Sequence, residues 1–138
     1  MTTRPTLDEY AMTLARAAAT RSEDPYHQVG CALFRFDRTV ISLGYNGAPP
    51  GVEIDWSGRD DRRLWVIHAE ANALRYARPG EVMLMATTML PCRECALAAA
   101  AYGVQKIVFE ADLDPAVYDF TQTLRVTEAC KIEVVRCP

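Results

Sequence analysis

No apolar run in this sequence approaches the roughly 20 residues that a membrane-spanning helix needs. The opening Met-Thr-Thr-Arg-Pro-Thr-Leu-Asp-Glu-Tyr has no continuous apolar stretch of the kind that directs secretion, and it introduces acid early. Both absences lead us to expect a cytoplasmic protein with no membrane contact. A surplus of positive charge is missing as well: 15 Lys and Arg stand against 18 Asp and Glu, a net charge of −3. Gripping a long nucleic-acid backbone normally takes a basic surface, so that class of partner is disfavoured. A small phosphorylated ligand needs only one or two local arginines and stays open. The five cysteines are odd in number and come without a secretion signal, which suits thiols and ligands better than a disulfide framework. Internal repeats, low-complexity tracts and linkers are absent, so residues 1–138, half of them hydrophobic, read as one compact domain.

What is present is an alternation of helical and extended patterns. Thr6 and Glu9 make a capping-box pair, and Leu7, Tyr10, Ala11, Leu14, Ala15 and Ala18 mark one face of a helix ending near Thr20 or Ser22. Two strands are expected at residues 29–36 and 39–45, turning at Asp37-Arg38. Residues 46–63, rich in Gly, Pro, Asp and Arg, read as a long loop, and a loop of that length in a compact domain is more often functional than idle. A helix over residues 67–77, a strand over 82–87 and an alanine-rich helix over 92–102 closed by Gly103 come next. A strand at 106–109, a helix at 116–129 and a strand at 131–136 complete the chain. The alternation implies an α/β fold, a sheet of about five strands between helices, with its later strands parallel.

The chemistry concentrates in two short segments. His68-Ala69-Glu70 opens one expected helix and Pro91-Cys92-Arg93-Glu94-Cys95 opens another. A Cys-x-x-Cys at a helix start places two sulfurs on its first turn, where the positive end of the helix dipole favours thiolate. Pro91 suits such an entry because its missing N–H would have had no helical partner. Alone, Cys92 and Cys95 are equally compatible with a redox pair or part of a structural zinc site. His68 upstream makes three protein ligands, and a structural zinc usually has four, so the fourth position is left for water. Zinc acidifies such a water toward neutrality. Glu70, two residues beyond His68, can then take a proton from the water, give it to a ring nitrogen and finally protonate a departing amine. The bland alternative for Glu70 is an ordinary first-turn helix acid.

The spacing H-x-E followed by P-C-x-x-C is the known signature of zinc nucleobase deaminases. Together with Arg21-Ser22-Glu23-Asp24-Pro25, Gln28-Val29-Gly30 and Gly44-Tyr45-Asn46-Gly47-Ala48-Pro49, it makes the chain resemble the cytidine and deoxycytidylate deaminase superfamily over nearly its whole length, and the deoxycytidylate (dCMP) deaminases most closely within it. The resemblance implies a cytidine-deaminase-like three-layer α/β/α sandwich with a mixed sheet, one catalytic Zn2+ per chain, and hydrolysis of dCMP to dUMP and ammonia. It implies that Asn46 bonds the sugar hydroxyl and that the Ala69 N–H and Leu90 carbonyl meet the pyrimidine edge. Arg21 and Ser22 would lie near the 5′-phosphate, and Tyr118 would stack on the base. It further implies a homo-oligomer, hexameric in many members, switched by dCTP and dTTP with Mg2+ beside the effector. The segment from Gly47 to Arg63 lacks the extra Cys and His that give some relatives a second zinc.

Other readings remain beside this one. A nucleoside or base deaminase would use the same signature, although small tetrameric cytidine deaminases generally carry cysteine where His68 stands. A tRNA adenosine deaminase would be more basic. A catalytically silent zinc module would have little use for Glu70 and would want a fourth ligand. Asn46-Gly47 is also a common turn dipeptide, and Arg21 could equally cap the carbonyl end of the first helix. His27 reads as a structural hydrogen-bonder, and Cys31, Cys130 and Cys137 as small core residues beside buried strands. Arg59, Arg62 and Arg63, interleaved with Asp60 and Asp61, read as a solvated loop flanked by Trp56 and Trp65, and they are the next candidates for the phosphate should Arg21 not hold it.

Overall fold

The computed structural model describes residues 3–137. The first helix, α1 (Leu7–Ala19), starts where the sequence signals it: Glu9 N–H donates to Thr6 Oγ1 at 3.2 Å and Thr6 N–H donates to Glu9 Oε1 at 3.1 Å. This reciprocal cap satisfies donors that have no intrahelical partner. The chain then runs β1 (Gly30–Phe34), β2 (Val40–Tyr45), α2 (Arg59–Trp65), α3 (Ala69–Leu74), β3 (Leu84–Met89), α4 (Arg93–Ala101), β4 (Lys106–Ala111), α5 (Phe120–Ala129) and β5 (Glu133–Arg136).

The five strands form one mixed sheet in the order β2-β1-β3-β4-β5. β1 pairs antiparallel with both β2 and β3, whereas β3-β4 and β4-β5 are parallel, as the intervening helices require. Strand β1 is buried along its whole length because both of its faces are covered. Ala32 and Phe34 face α1, in a cluster with Ala11, Met12, Ala15, Leu84, Ala86 and Val108. Cys31 and Leu33 face the opposite way, toward Ala69 and Ala73 of α3, Ala99 of α4, and Met85 and Ile107. The result is the expected α/β/α sandwich.

Two glycines set how closely the layers approach. A Cβ on Gly30 would lie 1.9 Å from the Ala15 carbonyl oxygen of α1, and one on Gly44 would lie 2.4 Å from the Ala69 carbonyl oxygen of α3. The alanine-rich faces of α1 and α3 therefore sit directly against strand backbone. Among the described residues no helix is long and apolar enough to cross a membrane.

Three expectations need correction. The segment 46–63 is not loop throughout, since α2 begins at Arg59. Its sequence Arg-Asp-Asp-Arg-Arg-Leu-Trp buries no residue, so no apolar period announces it. The helix expected from 116 begins at Phe120, with Asp119 Oδ1 accepting the Thr121 N–H at 3.0 Å as its cap. Cys130 is exposed, unlike the buried Cys31 and Cys137, because it caps the C-terminus of α5 before the chain enters β5.

Candidate active site

The two motifs meet over the carboxyl end of β3. His68 is the N-cap residue of α3 and Cys92 the N-cap residue of α4, so both helices aim their amino ends at one point. Cys95 lies in the first turn of α4 and Glu70 in the first turn of α3. The Cys92 and Cys95 sulfurs lie 3.5 and 3.4 Å from His68 Nδ1. Tetrahedral zinc with ordinary Zn–S and Zn–N bonds would hold sulfur and nitrogen ligands about 3.6 Å apart. The donor set, one imidazole and two thiols whose ligand atoms all lie within 4.8 Å of one another, therefore fits a zinc ion. Among the described residues no other group of three or more His, Cys, Asp or Glu side chains is close enough to share a metal.

The cluster is electrostatically poised for a cation. A hydrogen bond from Cys95 and another from His68 pull the Cys92 thiol down to about 4. Cys95 is pushed up because it donates to the Cys92 thiolate and is itself buried. The hydrogen bond to Cys92 also raises His68, against the effect of burial. Without a metal, the site thus keeps one thiolate stabilised by the other two groups.

Glu70 is 4% exposed and Thr87 Oγ1 lies 2.9 Å from its Oε1. Both groups sit on rigid elements, α3 and the central strand β3. Thr87 was hidden in the sequence because a β-branched residue inside a strand looks like packing alone.

Around this floor opens a cavity of about 670 Å³, lined by residues that include His68, Ala69, Glu70, Leu90, Cys92, Asn46 and Tyr118. That volume lies in the range of small-ligand sites. Ala69 is the first residue of α3, so its N–H has no intrahelical acceptor and is free for a ligand. Leu90 N–H donates to the Ala111 carbonyl at 2.8 Å, which ties the end of β3 to β4 just before the Leu90 carbonyl. Tyr118 packs edge-on to His68 with ring centroids 6.4 Å apart.

Asn46 is more committed than its expected role suggests. Its Nδ2 donates to the His27 carbonyl at 2.8 Å and to Asp24 Oδ2 at 3.3 Å, and its Oδ1 accepts the Val29 N–H at 2.9 Å. Both of its N–H donors are spent, so Asn46 can offer a sugar hydroxyl only the remaining lone pair of Oδ1. Asp24, buried and on the cavity wall, is a residue the sequence did not single out. Its Oδ1 also accepts the N–H groups of Tyr26 and His27, so it shapes the wall between β1 and α1. His27 contributes through its backbone, in keeping with a structural reading.

Arg21 and Ser22 are not brought into the cavity lining. Arg21 is exposed, with its guanidinium 5.9 Å from the Tyr45 ring centroid. Ser22 is buried and its hydroxyl donates to the Asn46 carbonyl at 3.0 Å. In contrast, Arg59, Arg62 and Arg63 of α2, the next candidates for a phosphate after Arg21, do line the cavity.

This sandwich, with a His-Cys-Cys cluster at two helix N-termini and a buried glutamate beside it, defines the class of zinc-dependent hydrolytic deaminases. The model of the cytidine and deoxycytidylate deaminase zinc-binding region matches residues 5–111, and the chain belongs to that family. It is 35% identical to the deoxycytidylate deaminase of Mycobacterium phage D29 over 77% of this chain and 95% of that one. With the probable deoxycytidylate deaminase of Drosophila melanogaster it shares 28% identity over 94% of this chain and 71% of the relative. It covers only 64% of the deoxycytidylate deaminase of Mus musculus, at 32% identity over 75% of this chain. A crystal structure of the dCMP deaminase from cyanophage S-TIM5 in complex with dCMP and dUMP superposes with a TM-score of 0.79 at 23% identity, covering 99% of this chain and all of that one.

Proposed function

We propose that this chain is a deoxycytidylate deaminase that converts dCMP to dUMP with release of ammonia, its 138 residues acting as a single catalytic domain. The observation that carries the reading is the position of Glu70, buried at the cavity floor beside the His68, Cys92 and Cys95 donor set. His68, Cys92 and Cys95 hold the zinc, which when bound supplies Lewis acidity to a water at the floor of the cavity.

The remaining steps belong to the chain's own groups. The Ala69 N–H and the Leu90 carbonyl orient the pyrimidine edge, one donating and one accepting. Tyr118 covers the base, and Asn46 Oδ1 accepts from the sugar hydroxyl. Glu70 removes a proton from the attacking water and delivers it to the ring nitrogen. As the tetrahedral carbon collapses, Glu70 takes the proton of the new hydroxyl, whose oxygen becomes the product carbonyl, and passes it to the exocyclic amine, which leaves as ammonia. Thr87 Oγ1 stays hydrogen-bonded to Glu70 in both states, as donor to the carboxylate and as acceptor from the protonated acid.

The relatives named above and the acidic net charge support a small nucleotide over a nucleic acid as substrate. The proposal takes in zinc alone; magnesium and nucleotide effectors form no part of it. It extends to a homo-oligomer, for which exposed Leu64 and Tyr76 offer apolar surface, and sedimentation of the pure protein tests that part. The function itself is tested by ammonia release from a panel of dCMP, CMP, deoxycytidine, cytidine and cytosine. The expected result is turnover of dCMP well above the rest; preference for an unphosphorylated member would reject the reading.

A further inference from the structure

The wall contributed by α2 holds charge that the chain itself does not neutralise. Among the described residues Arg59, Arg62 and Arg63 form no ion pair. Arg62 is the most constrained of the three. Its guanidinium carbon lies 4.3 Å from the centroid of the Tyr26 ring. That ring is itself anchored at two points: the Tyr26 N–H donates to Asp24 Oδ1 at 2.8 Å and the hydroxyl donates to the Trp56 carbonyl at 3.2 Å. Arg62 Nε is buried and has no hydrogen-bond partner.

A buried guanidinium N–H without an acceptor is costly, and such orphans in folded proteins call for an explanation. Arg62 lines the cavity that holds Glu70 and the His68 cluster, so an anion bound there would meet its terminal amino groups, which, unlike Nε, are not buried. The Tyr26 ring beneath the guanidinium carbon holds the group in place by cation–π attraction. A planar fork held in this way suits the paired oxygens of a phosphate. The competing arginines are less suited. Arg21 stands outside the cavity lining, and Arg93, which lines it, has Glu94 3.9 Å away.

We propose that Arg62, seated on Tyr26, grips the 5′-phosphate of the substrate, with Arg59 and Arg63 adding positive potential at the rim. This inference rests on the dCMP reading above. It also gives α2 a reason to exist: a helix that buries no side chain of its own carries the group that tells nucleotide from nucleoside.

The test compares kcat/KM for dCMP and for deoxycytidine in the zinc-loaded wild type, Arg62→Ala, Arg62→Lys and Arg21→Ala. The wild type should prefer dCMP. Arg62→Ala should lower the dCMP-to-deoxycytidine ratio roughly ten- to a hundredfold, the scale of a charge-assisted contact, chiefly through KM for dCMP. Arg62→Lys, which keeps the charge but not the fork, should recover only part of the loss, and Arg21→Ala should leave the ratio where it was. Weaker binding of dUMP to Arg62→Ala, with no change for deoxyuridine, should accompany this. An unchanged ratio in Arg62→Ala, with wild type still preferring dCMP, would overturn the Arg62 assignment and leave the dCMP reading standing. Equal loss on both substrates would reduce Arg62 to a structural residue. If the wild type itself treated the two substrates alike, the dCMP reading would fail and this inference with it.

Discussion

Thr87 Oγ1 stands 2.9 Å from Glu70 Oε1 and 2.8 Å from the Met89 carbonyl oxygen, and its one hydroxyl hydrogen can serve only one of them at a time. With Glu70 ionised, the hydrogen turns to the carboxylate. With a proton on Oε1, Glu70 donates to Thr87 and the hydroxyl turns to Met89. Thr87 therefore accommodates both states of a proton carrier without any movement of the backbone.

Replacing Thr87 with valine keeps the shape and the β-branch but removes that partner. A hydrogen bond to a charged group is worth about 1.5–3 kcal/mol, so kcat for dCMP should fall roughly ten- to a hundredfold with KM little changed. Thr87→Ser, which restores the hydroxyl, should recover most of the rate. Steady-state kinetics on the two variants at equal zinc content check this; a valine variant at wild-type kcat would remove Thr87 from the mechanism.

Glu70→Gln should fold and bind zinc while losing turnover. The amide preserves size but cannot carry protons, and general acid–base help is typically worth on the order of 10²–10⁴-fold. A group used for successive transfers should sit at the upper end. Retention of more than about a tenth of wild-type kcat would assign the proton transfers to another group.

Metal binding should be pH-dependent in a direction set by the cluster. Ligation needs both thiols deprotonated and the imidazole neutral. Cys92, held down to about 4, is already a thiolate near neutrality, whereas Cys95 is raised and keeps its proton. Above the raised His68 value, zinc uptake by the metal-free protein should thus displace one proton from the ligands, that of Cys95. Below the raised His68 value a second proton must leave, so the count should climb toward two near pH 6 and affinity should fall with pH. Calorimetry in buffers of different ionisation enthalpy counts these protons. Cys92→Ala and Cys95→Ala should each lose the metal, and full zinc occupancy in either, by elemental analysis, would place the ion elsewhere.

The parts of this molecule legible in the sequence are those whose signals are local. The Thr6-Glu9 box, the His68-x-Glu70 and Cys92-x-x-Cys95 spacings and the alternation of strands and helices each fit within a few residues. What stayed hidden depends on contacts across the fold. Helix α2 carries no apolar stripe, because its reason for position lies in Tyr26 and the cavity and not in a buried face of its own. Asp24, one residue of the Arg21–Pro25 segment in the sequence, becomes a wall residue only when Asn46 arrives from β2, 22 residues away. Arg21 illustrates the converse: its neighbour Ser22 turns inward to Asn46, and the chain geometry leaves Arg21 outside against Tyr45.

Gly30 and Gly44 offer a test of how the fold supports the site, because they meet different helices. At Gly30 an added Cβ would sit 1.9 Å from the Ala15 carbonyl oxygen and 2.5 Å from the Ala19 nitrogen, both backbone atoms of α1. At Gly44 it would sit 2.4 Å from the Ala69 carbonyl oxygen and 2.6 Å from the Ala73 nitrogen, backbone atoms of α3. Backbone cannot swing aside as a side chain can, so each alanine variant must push a helix off the sheet. Overpacking of this kind typically costs about 1–3 kcal/mol and occasionally more. Both variants should therefore lower the midpoint of denaturant unfolding. Their effects on catalysis should diverge. Helix α1 carries none of the groups assigned to the reaction, so the folded fraction of Gly30→Ala should keep kcat within a few-fold of wild type. Helix α3 carries Ala69 and Glu70 and is capped by His68, and a shift on the order of 1 Å in such a support can cost about a hundredfold in rate. Gly44→Ala should accordingly lose kcat by far more than its stability loss accounts for. Unfolding curves paired with kcat per folded, zinc-loaded molecule measure the two effects separately. Equal catalytic losses in the two variants would mean that the sheet transmits the strain as a whole, and that α3 is not the element on which the geometry of Glu70 depends.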